Sequence, residues 1–145
     1  MKRREFLHTS LAGATAATFL PKFLAGAPKD MPKRKLGRTG EQLSMLGFGG
    51  VLVMKEEQSV ANDMVAKAYD HGINYFDVAP TYGNAEERMG PALETYRKNC
   101  FLACKTTQRK ADGAQQELEQ SLKNLRTDYF DLYQLHAITS EEDVN

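Results

Sequence analysis

The sequence predicts an α/β fold built on parallel strands. Short apolar runs alternate with segments of helical periodicity, and each helical segment is 12 to 15 residues long. The chain has 145 residues, 41% of them hydrophobic, which is enough for a folded core. Strands that alternate with such helices form right-handed β-α-β units with parallel strands. This periodicity leaves an open sheet and part of a closed barrel as alternatives.

The first predicted strand is 43–48, and it ends at Gly49-Gly50. The first predicted helix runs from Ser59 to Asp70, with Ser59 as its N-cap. It stops at His71-Gly72, where glycine can adopt the left-handed conformation that often follows a helix. The second predicted strand, 73–77, follows directly.

The same alternation then repeats to the end of the chain. Helices are predicted at 85–96 and 111–125, and strands at 101–105 and 129–136. Together with the two earlier strands, this gives four parallel strands within 43–136. Residues 137–145 form a polar tail, where we expect a truncation point.

The pattern of the N-terminal residues predicts an export signal. Residues 1–27 combine a basic start, a ten-residue apolar stretch and a small-residue Ala-Gly-Ala end. Arg3-Arg4 followed by Glu5-Phe6-Leu7 resembles a twin-arginine signal. We therefore expect a periplasmic or otherwise exported protein. Residues 28–42, which contain prolines and glycines, are predicted to form a linker or an N-terminal hairpin.

Composition excludes several functional classes. The 19 basic and 19 acidic residues balance, which argues against nucleic acid as a partner, and no apolar run approaches the roughly 20 residues of a membrane span.

Cys100 and Cys104 share one face of a strand, so we expect buried, inert thiols. No metal-ligand cluster is present. Arg109-Lys110 is interpreted as a loop charge pair that needs no partner, and three methionines are expected in the core: Met45, Met64 and Met89.

Three consecutive predicted strands end in a titratable residue: Asp77, Lys105 and His136. Tyr82 follows Asp77 by five positions, in a glycine-containing loop. In parallel α/β folds the carboxyl edge of the sheet carries ligands and chemistry. Any one of these residues alone is most simply a surface residue, but three in succession predict a site.

These four residues suggest a chemical scheme. A buried Lys105 requires a carboxylate partner, which Asp77 on the neighbouring strand can supply. The lysine ammonium would stabilise the phenolate of Tyr82 after it gives a proton to a developing alkoxide. His136 would orient the same oxygen. The scheme is an acid-assisted carbonyl reduction, and its hydride must come from a cofactor.

Three motifs in order resemble the aldo-keto reductase family. Residues 77–93, DVAPTYGNAEERMGPAL, resemble its Asp-x-Ala-x-x-Tyr-Gly signature. Ala103-Cys104-Lys105-Thr106 is similar to its lysine strand, and residues 118–136 are similar to its third-helix and fourth-strand signature.

The resemblance implies a (β/α)8 TIM barrel and NAD- or NADP-dependent reduction of a small-molecule aldehyde or ketone. It implies Tyr82 as the general acid, Lys105 and Asp77 as its supporting pair, and His136 as the carbonyl-orienting residue. Gly49 and Gly50 fall where the family's first loop runs beside the nicotinamide. The main cofactor-binding residues of the family follow the fourth strand. Substrate identity and the choice between NAD and NADP are not encoded in these motifs.

The resemblance covers only the first four β/α units, a half barrel. A TIM barrel needs about 250 residues, so we expect a truncated product or a fragment of a longer exported reductase. The alternative is an inactive remnant, or a half-barrel interaction module that self-associates or needs a C-terminal partner.

Overall fold

The computed structural model describes residues 31–144. The predicted signal at 1–27 lies outside the described residues, and the export assignment stays a prediction. The described part begins with an antiparallel hairpin, in which β1 (Lys33–Lys35) pairs with β2 (Gln42–Ser44). A four-stranded parallel sheet with helices follows.

The sheet strands lie in the order β3-β4-β5-β6, all parallel, so the four predicted parallel strands are confirmed. Within residues 31–144, three α-helices and three short 3₁₀ helices connect or follow them. The strands are β3 (Phe48–Gly49), β4 (Tyr75–Asp77), β5 (Phe101–Thr106) and β6 (Leu132–Leu135). The helices are α1 (Gln58–Asp70), α2 (Ala85–Leu93) and α3 (Ala111–Asn124), with 3₁₀ turns at Gly50–Val53, Arg97–Asn99 and Glu141–Val144.

The predicted strand 43–48 is divided between two sheets. Ser44 belongs to the hairpin, where its backbone N–H donates to the Asn74 side chain at 2.7 Å. Its hydroxyl donates to the Leu46 carbonyl at 2.6 Å, which turns the chain before β3 begins at Phe48. Met45 lies at this turn and is 53% exposed, so its predicted core position is wrong.

Helix α1 begins one residue earlier than predicted. Its N-cap is Glu57, in extended conformation and without a side-chain capping bond, so the prediction of Ser59 as the cap is wrong. Its predicted end is confirmed: Gly72 follows with φ +85°, a conformation that glycine tolerates without a Cβ clash.

Helix α2 ends at Leu93, three residues before the predicted end. The N–H of Tyr96 donates to the Leu93 carbonyl at 2.8 Å, a tighter turn that leads into the 3₁₀ helix Arg97–Asn99. The Tyr96 ring instead stacks on Tyr69 of α1, with ring centroids 4.4 Å apart.

Strand β6 begins at Leu132 rather than at the predicted Tyr129, because Arg97 holds the preceding residues. The Arg97 guanidinium donates to the Tyr129 carbonyl at 2.8 Å, lies 3.8 Å from the centroid of its ring, and pairs with Asp131 at 3.1 Å. Asp131 in turn accepts the N–H of Leu102 at 2.8 Å. These contacts hold 129–131 beside the sheet, where the backbone N–H of Asp131 also donates to the Leu102 carbonyl at 3.0 Å.

The core lies between the sheet and the helices. Side chains with at most 1% exposure meet there from both layers, among them Phe76, Leu102, Met89 and Leu93. Cys100 and Cys104 are free and buried, as predicted. Burial raises the pKa of the Cys100 thiol to about 11 and that of Cys104 to about 12, so both thiols stay protonated at neutral pH.

Both edges of the sheet carry exposed apolar side chains. Leu132 and Leu135 of β6 are 36% and 42% exposed, and Leu46 beside β3 is 60% exposed. Within residues 31–144, no helix combines the length and apolar character that a membrane crossing requires.

Candidate active site

The carboxyl edge of the parallel sheet gathers the four residues predicted to act together. Asp77 is the last residue of β4, Lys105 lies near the end of β5, and His136 directly follows β6. Tyr82 lies in the loop between β4 and α2. Because all strands run in the same direction, their ends meet at one edge, as the sequence pattern predicts.

Asp77 and Lys105 form a salt bridge. Lys105 Nζ contacts Asp77 Oδ1 and also donates to the Val78 carbonyl at 3.1 Å. The register aligns Asp77 with Ala103, so Lys105 follows two positions later on the same strand face. The two side chains are 25% and 13% exposed, and the pairing compensates the partial desolvation of both charges.

Tyr82 lies between the ion pair and the histidine. Lys105 Nζ is 5.2 Å from the centroid of the Tyr82 ring. The Tyr82 and His136 rings meet edge to face, with centroids 5.8 Å apart and planes at 86°. The ammonium, phenol and imidazole thus form one continuous cluster, half-buried and accessible from the sheet edge.

A second tyrosine flanks this cluster. Tyr75 precedes Asp77 by two residues on β4, and its ring packs edge-on against Phe101. Burial raises the pKa of Tyr75, and the neighbouring Asp77 carboxylate raises this pKa further. The Lys105 ammonium lowers it, but by less. Tyr75 therefore remains protonated beside the ion pair.

The two predicted cofactor-binding glycines lie in different surroundings. Gly49 pairs with Asp77 across the sheet, and a Cβ there would meet only Val51 Cγ1 at 3.8 Å, so the space beside its backbone is open. Gly50 is buried, and a Cβ there would lie 2.8 Å from Val78 Cγ2. Core packing therefore accounts for glycine at position 50, whereas the backbone of Gly49 borders open space, and the cofactor-binding role of both glycines stays a prediction.

Two residues that the sequence did not point to, Thr81 and Arg109, adjoin the site. Thr81 Oγ1 lies 3.3 Å from Nδ1 of His136, within hydrogen-bond distance. Arg109 donates to the carbonyl oxygen of His136 at 2.7 Å, a contact within the chain that its interpretation as part of a loop charge pair did not predict. Both lie in loops at the carboxyl edge of the sheet, and this position is the feature from which they could have been predicted as neighbours of the site. In the described part of the chain, no group of three His, Cys, Asp or Glu residues could hold a metal ion.

Comparison with known proteins places this cluster in context. Residues 45–144 match the profile of the "Aldo/keto reductase family". The chain is 35% identical over 129 residues to "Uncharacterized oxidoreductase YqkF" of Bacillus subtilis, covering 79% of this chain and 42% of that protein. It is 34% identical over 125 residues to "Aldo-keto reductase YhdN" of the same organism, covering 73% and 38%.

A solved structure shows that the similarity to aldo-keto reductases extends to the fold. The chain superposes on the holo form of aldo-keto reductase AKR11C1 from Bacillus halodurans with a TM-score of 0.67 and 32% identity, covering 75% of this chain and 41% of that one. The four-stranded parallel sheet thus corresponds to part of a TIM barrel. The chain spans about two fifths of the length of these curated relatives.

Proposed function

Since this chain belongs to the aldo/keto reductase family, we propose that it supplies the proton-transfer residues for NAD(P)H-dependent reduction of a small-molecule aldehyde or ketone. One observation carries the proposal: Asp77, Tyr82, Lys105 and His136 form one cluster at the carboxyl edge of the sheet. The cluster contains a proton donor, a cation beside it and a group able to orient a carbonyl oxygen.

Tyr82 is the proton donor in this proposal. Its phenol O–H gives a proton to the carbonyl oxygen as negative charge develops there, which leaves a phenolate. The Lys105 ammonium, 5.2 Å from the ring centroid, stabilises that phenolate electrostatically. Asp77 holds Lys105 in place through the salt bridge, so the cation is positioned before the substrate arrives.

His136 orients the substrate oxygen. Its ring meets Tyr82 edge to face, so an oxygen that accepts from the phenol also lies near the imidazole. A second polar contact restricts the carbonyl to the geometry in which proton transfer is efficient. When bound, NADPH or NADH supplies the hydride that the carbonyl carbon accepts, and Gly49 is the described residue whose open backbone fits beside it.

A cofactor-consumption assay tests the proposal. The purified protein is mixed with NADPH or NADH and a panel of aldehydes and ketones, and cofactor absorbance is followed. We expect consumption that requires both the protein and a carbonyl compound. Nucleotide binding without consumption for any carbonyl would contradict the proposed activity.

The exposed apolar sheet edges favour a second candidate function, an interaction module that closes its barrel with another chain. Leu132, Leu135 and Leu46 lie at the two edges, where a further strand could pair and cover them. Under this candidate the folded protein alone binds no nucleotide, and self-association or a C-terminal partner restores binding. Tight NADPH binding by a monomer, measured by fluorescence titration and light scattering, would contradict it.

We further propose export through a twin-arginine-type signal, supported by Arg3, Arg4 and the apolar stretch that follows them. The conservative double substitution Arg3→Lys/Arg4→Lys is expected to retain the protein in the cytoplasmic fraction, because that pathway reads the arginine pair. Immunoblots of periplasmic and cytoplasmic fractions measure the distribution. The substitution Lys33→Arg, outside the signal, serves as control, and equal export of both variants would refute the assignment.

A further inference from the structure

Arg109 connects two loops at the carboxyl edge of the sheet. Its guanidinium donates to the Thr107 carbonyl at 3.0 Å in the loop after β5. It also donates to the carbonyls of His136 at 2.7 Å and Ala137 at 3.2 Å in the loop after β6, and its Nε donates to Asp143 Oδ1 at 3.1 Å. One side chain thus binds three backbone carbonyls and a carboxylate, and Arg109 is only 28% exposed on its side chain.

The carboxylate that holds Arg109 is itself fixed. Asp143 Oδ2 accepts the N–H of Thr139 at 2.7 Å and the N–H of Ser140 at 3.0 Å. These hydrogen bonds, together with that from Arg109, hold the pKa of the Asp143 carboxyl well below its usual range. Asp143 therefore stays charged and keeps the guanidinium against the loop after β6.

The loop after β5 is fixed from the other side. Glu117 of α3 accepts the Thr106 hydroxyl at 2.6 Å and the N–H of Thr107 at 2.8 Å. Burial raises the pKa of Glu117, but these hydrogen bonds outweigh burial and lower it. Arg109 is thus attached to a loop whose start is held rigidly to α3.

The residue next to His136 has an unfavourable backbone conformation. Ala137 has φ +53°, in the left-handed region that is unfavourable for a residue with a Cβ. Its carbonyl is one of those that Arg109 binds. The hydrogen bonds from the guanidinium offset the cost and keep the chain turned immediately after His136.

We propose that Arg109 is a positioning residue that, by holding the His136 and Ala137 carbonyls, sets the direction of the His136 imidazole toward Tyr82. The inference rests on the proposed function for its catalytic consequence. Among the described residues, the His136 ring makes an edge-to-face contact with Tyr82 and lies 3.3 Å from Thr81 Oγ1 through its Nδ1. Its orientation therefore depends on the backbone that carries it.

Kinetics of Arg109→Ala test the catalytic consequence. We expect kcat to fall by about 10- to 100-fold with KM nearly unchanged, because a displaced orienting group weakens the reacting geometry more than binding. Lys110→Ala removes the neighbouring exposed cation and is the matched control, with kcat unchanged. An Arg109→Ala protein with the kcat of the unmodified protein would overturn the proposal.

A second experiment tests the position of the His136 ring without requiring turnover. The ring signals of His136, followed by NMR, are expected to shift in Arg109→Ala and to stay in place in Lys110→Ala. Adding Ala137→Gly to Arg109→Ala is expected to move the signals back and recover part of kcat, because glycine adopts positive φ without the Cβ penalty. Unshifted His136 signals in Arg109→Ala, or no recovery in the double variant, count against the positioning role even if no carbonyl substrate is found.

Discussion

Replacing Tyr82 with phenylalanine is expected to lower kcat for carbonyl reduction by about 10²- to 10⁴-fold, the usual contribution of a positioned general acid. The substitution removes only the phenol O–H. The ring contacts to Lys105 and His136 do not use the hydroxyl, so the cluster keeps its packing. Steady-state kinetics with a saturating carbonyl substrate measure the loss, and thermal unfolding shows whether the variant stays folded.

Tyr96→Phe is the matched control for this experiment. Tyr96 is half-buried and stacks on Tyr69, away from the strand ends. Its loss of a hydroxyl is expected to leave kcat unchanged. If the Tyr82 variant keeps nearly the full rate, another group donates the proton and the assignment fails.

Gly90→Ala is expected to destabilise the fold by about 3 kcal/mol, since α2 and α3 pack backbone to backbone at this point. A Cβ on Gly90 would overlap the Asn124 carbonyl oxygen and lie 3.1 Å from Leu125 Cα. These are backbone atoms at the end of α3, so relief requires the two helices to separate. The midpoint of thermal unfolding is expected to fall by roughly 10 °C.

Gly113→Ala provides the control, because it makes the same substitution in α3. A Cβ there would meet only the flexible Gln108 side chain, with Oε1 at 2.9 Å. That side chain can move, and alanine favours helix over glycine by about 1 kcal/mol. Gly113→Ala is therefore expected to be neutral or stabilising. Equal melting curves for the two variants would show that α2 and α3 do not pack closely at Gly90.

The order of strands and helices could be predicted because hydrophobic periodicity is a local property of the chain. Element boundaries depended on distant contacts instead. The start of β6 was misplaced because Arg97, more than 30 positions upstream, binds Tyr129 and Asp131 and so determines the conformation of the residues before Leu132. The hairpin strand at Ser44 was likewise set by Asn74, 30 positions away.

The convergence of Asp77, Lys105 and His136 at one edge of the sheet could be predicted because buried parallel strands rarely carry charges, so charged strand ends are informative. Tyr82 was identified from its place in the loop that follows Asp77.

Arg109 could not be predicted. Its partners are mostly backbone carbonyls, which every residue type provides, and two of them lie 27 and 28 positions downstream. Gly50 was associated with the cofactor through the family resemblance, and the structure adds that its close neighbours Val78 and Met89 belong to the core.

Transfer of deuterium from cofactor to product tests the central claim most directly. The protein is supplied with NADPH or NADH deuterated on the transferring carbon and with a carbonyl substrate, and the alcohol is analysed by mass spectrometry. The account predicts an alcohol with one deuterium on the former carbonyl carbon, formed by the unmodified protein and nearly lost in Tyr82→Phe. An unlabelled alcohol, or a labelled one formed equally fast by Tyr82→Phe, would contradict it.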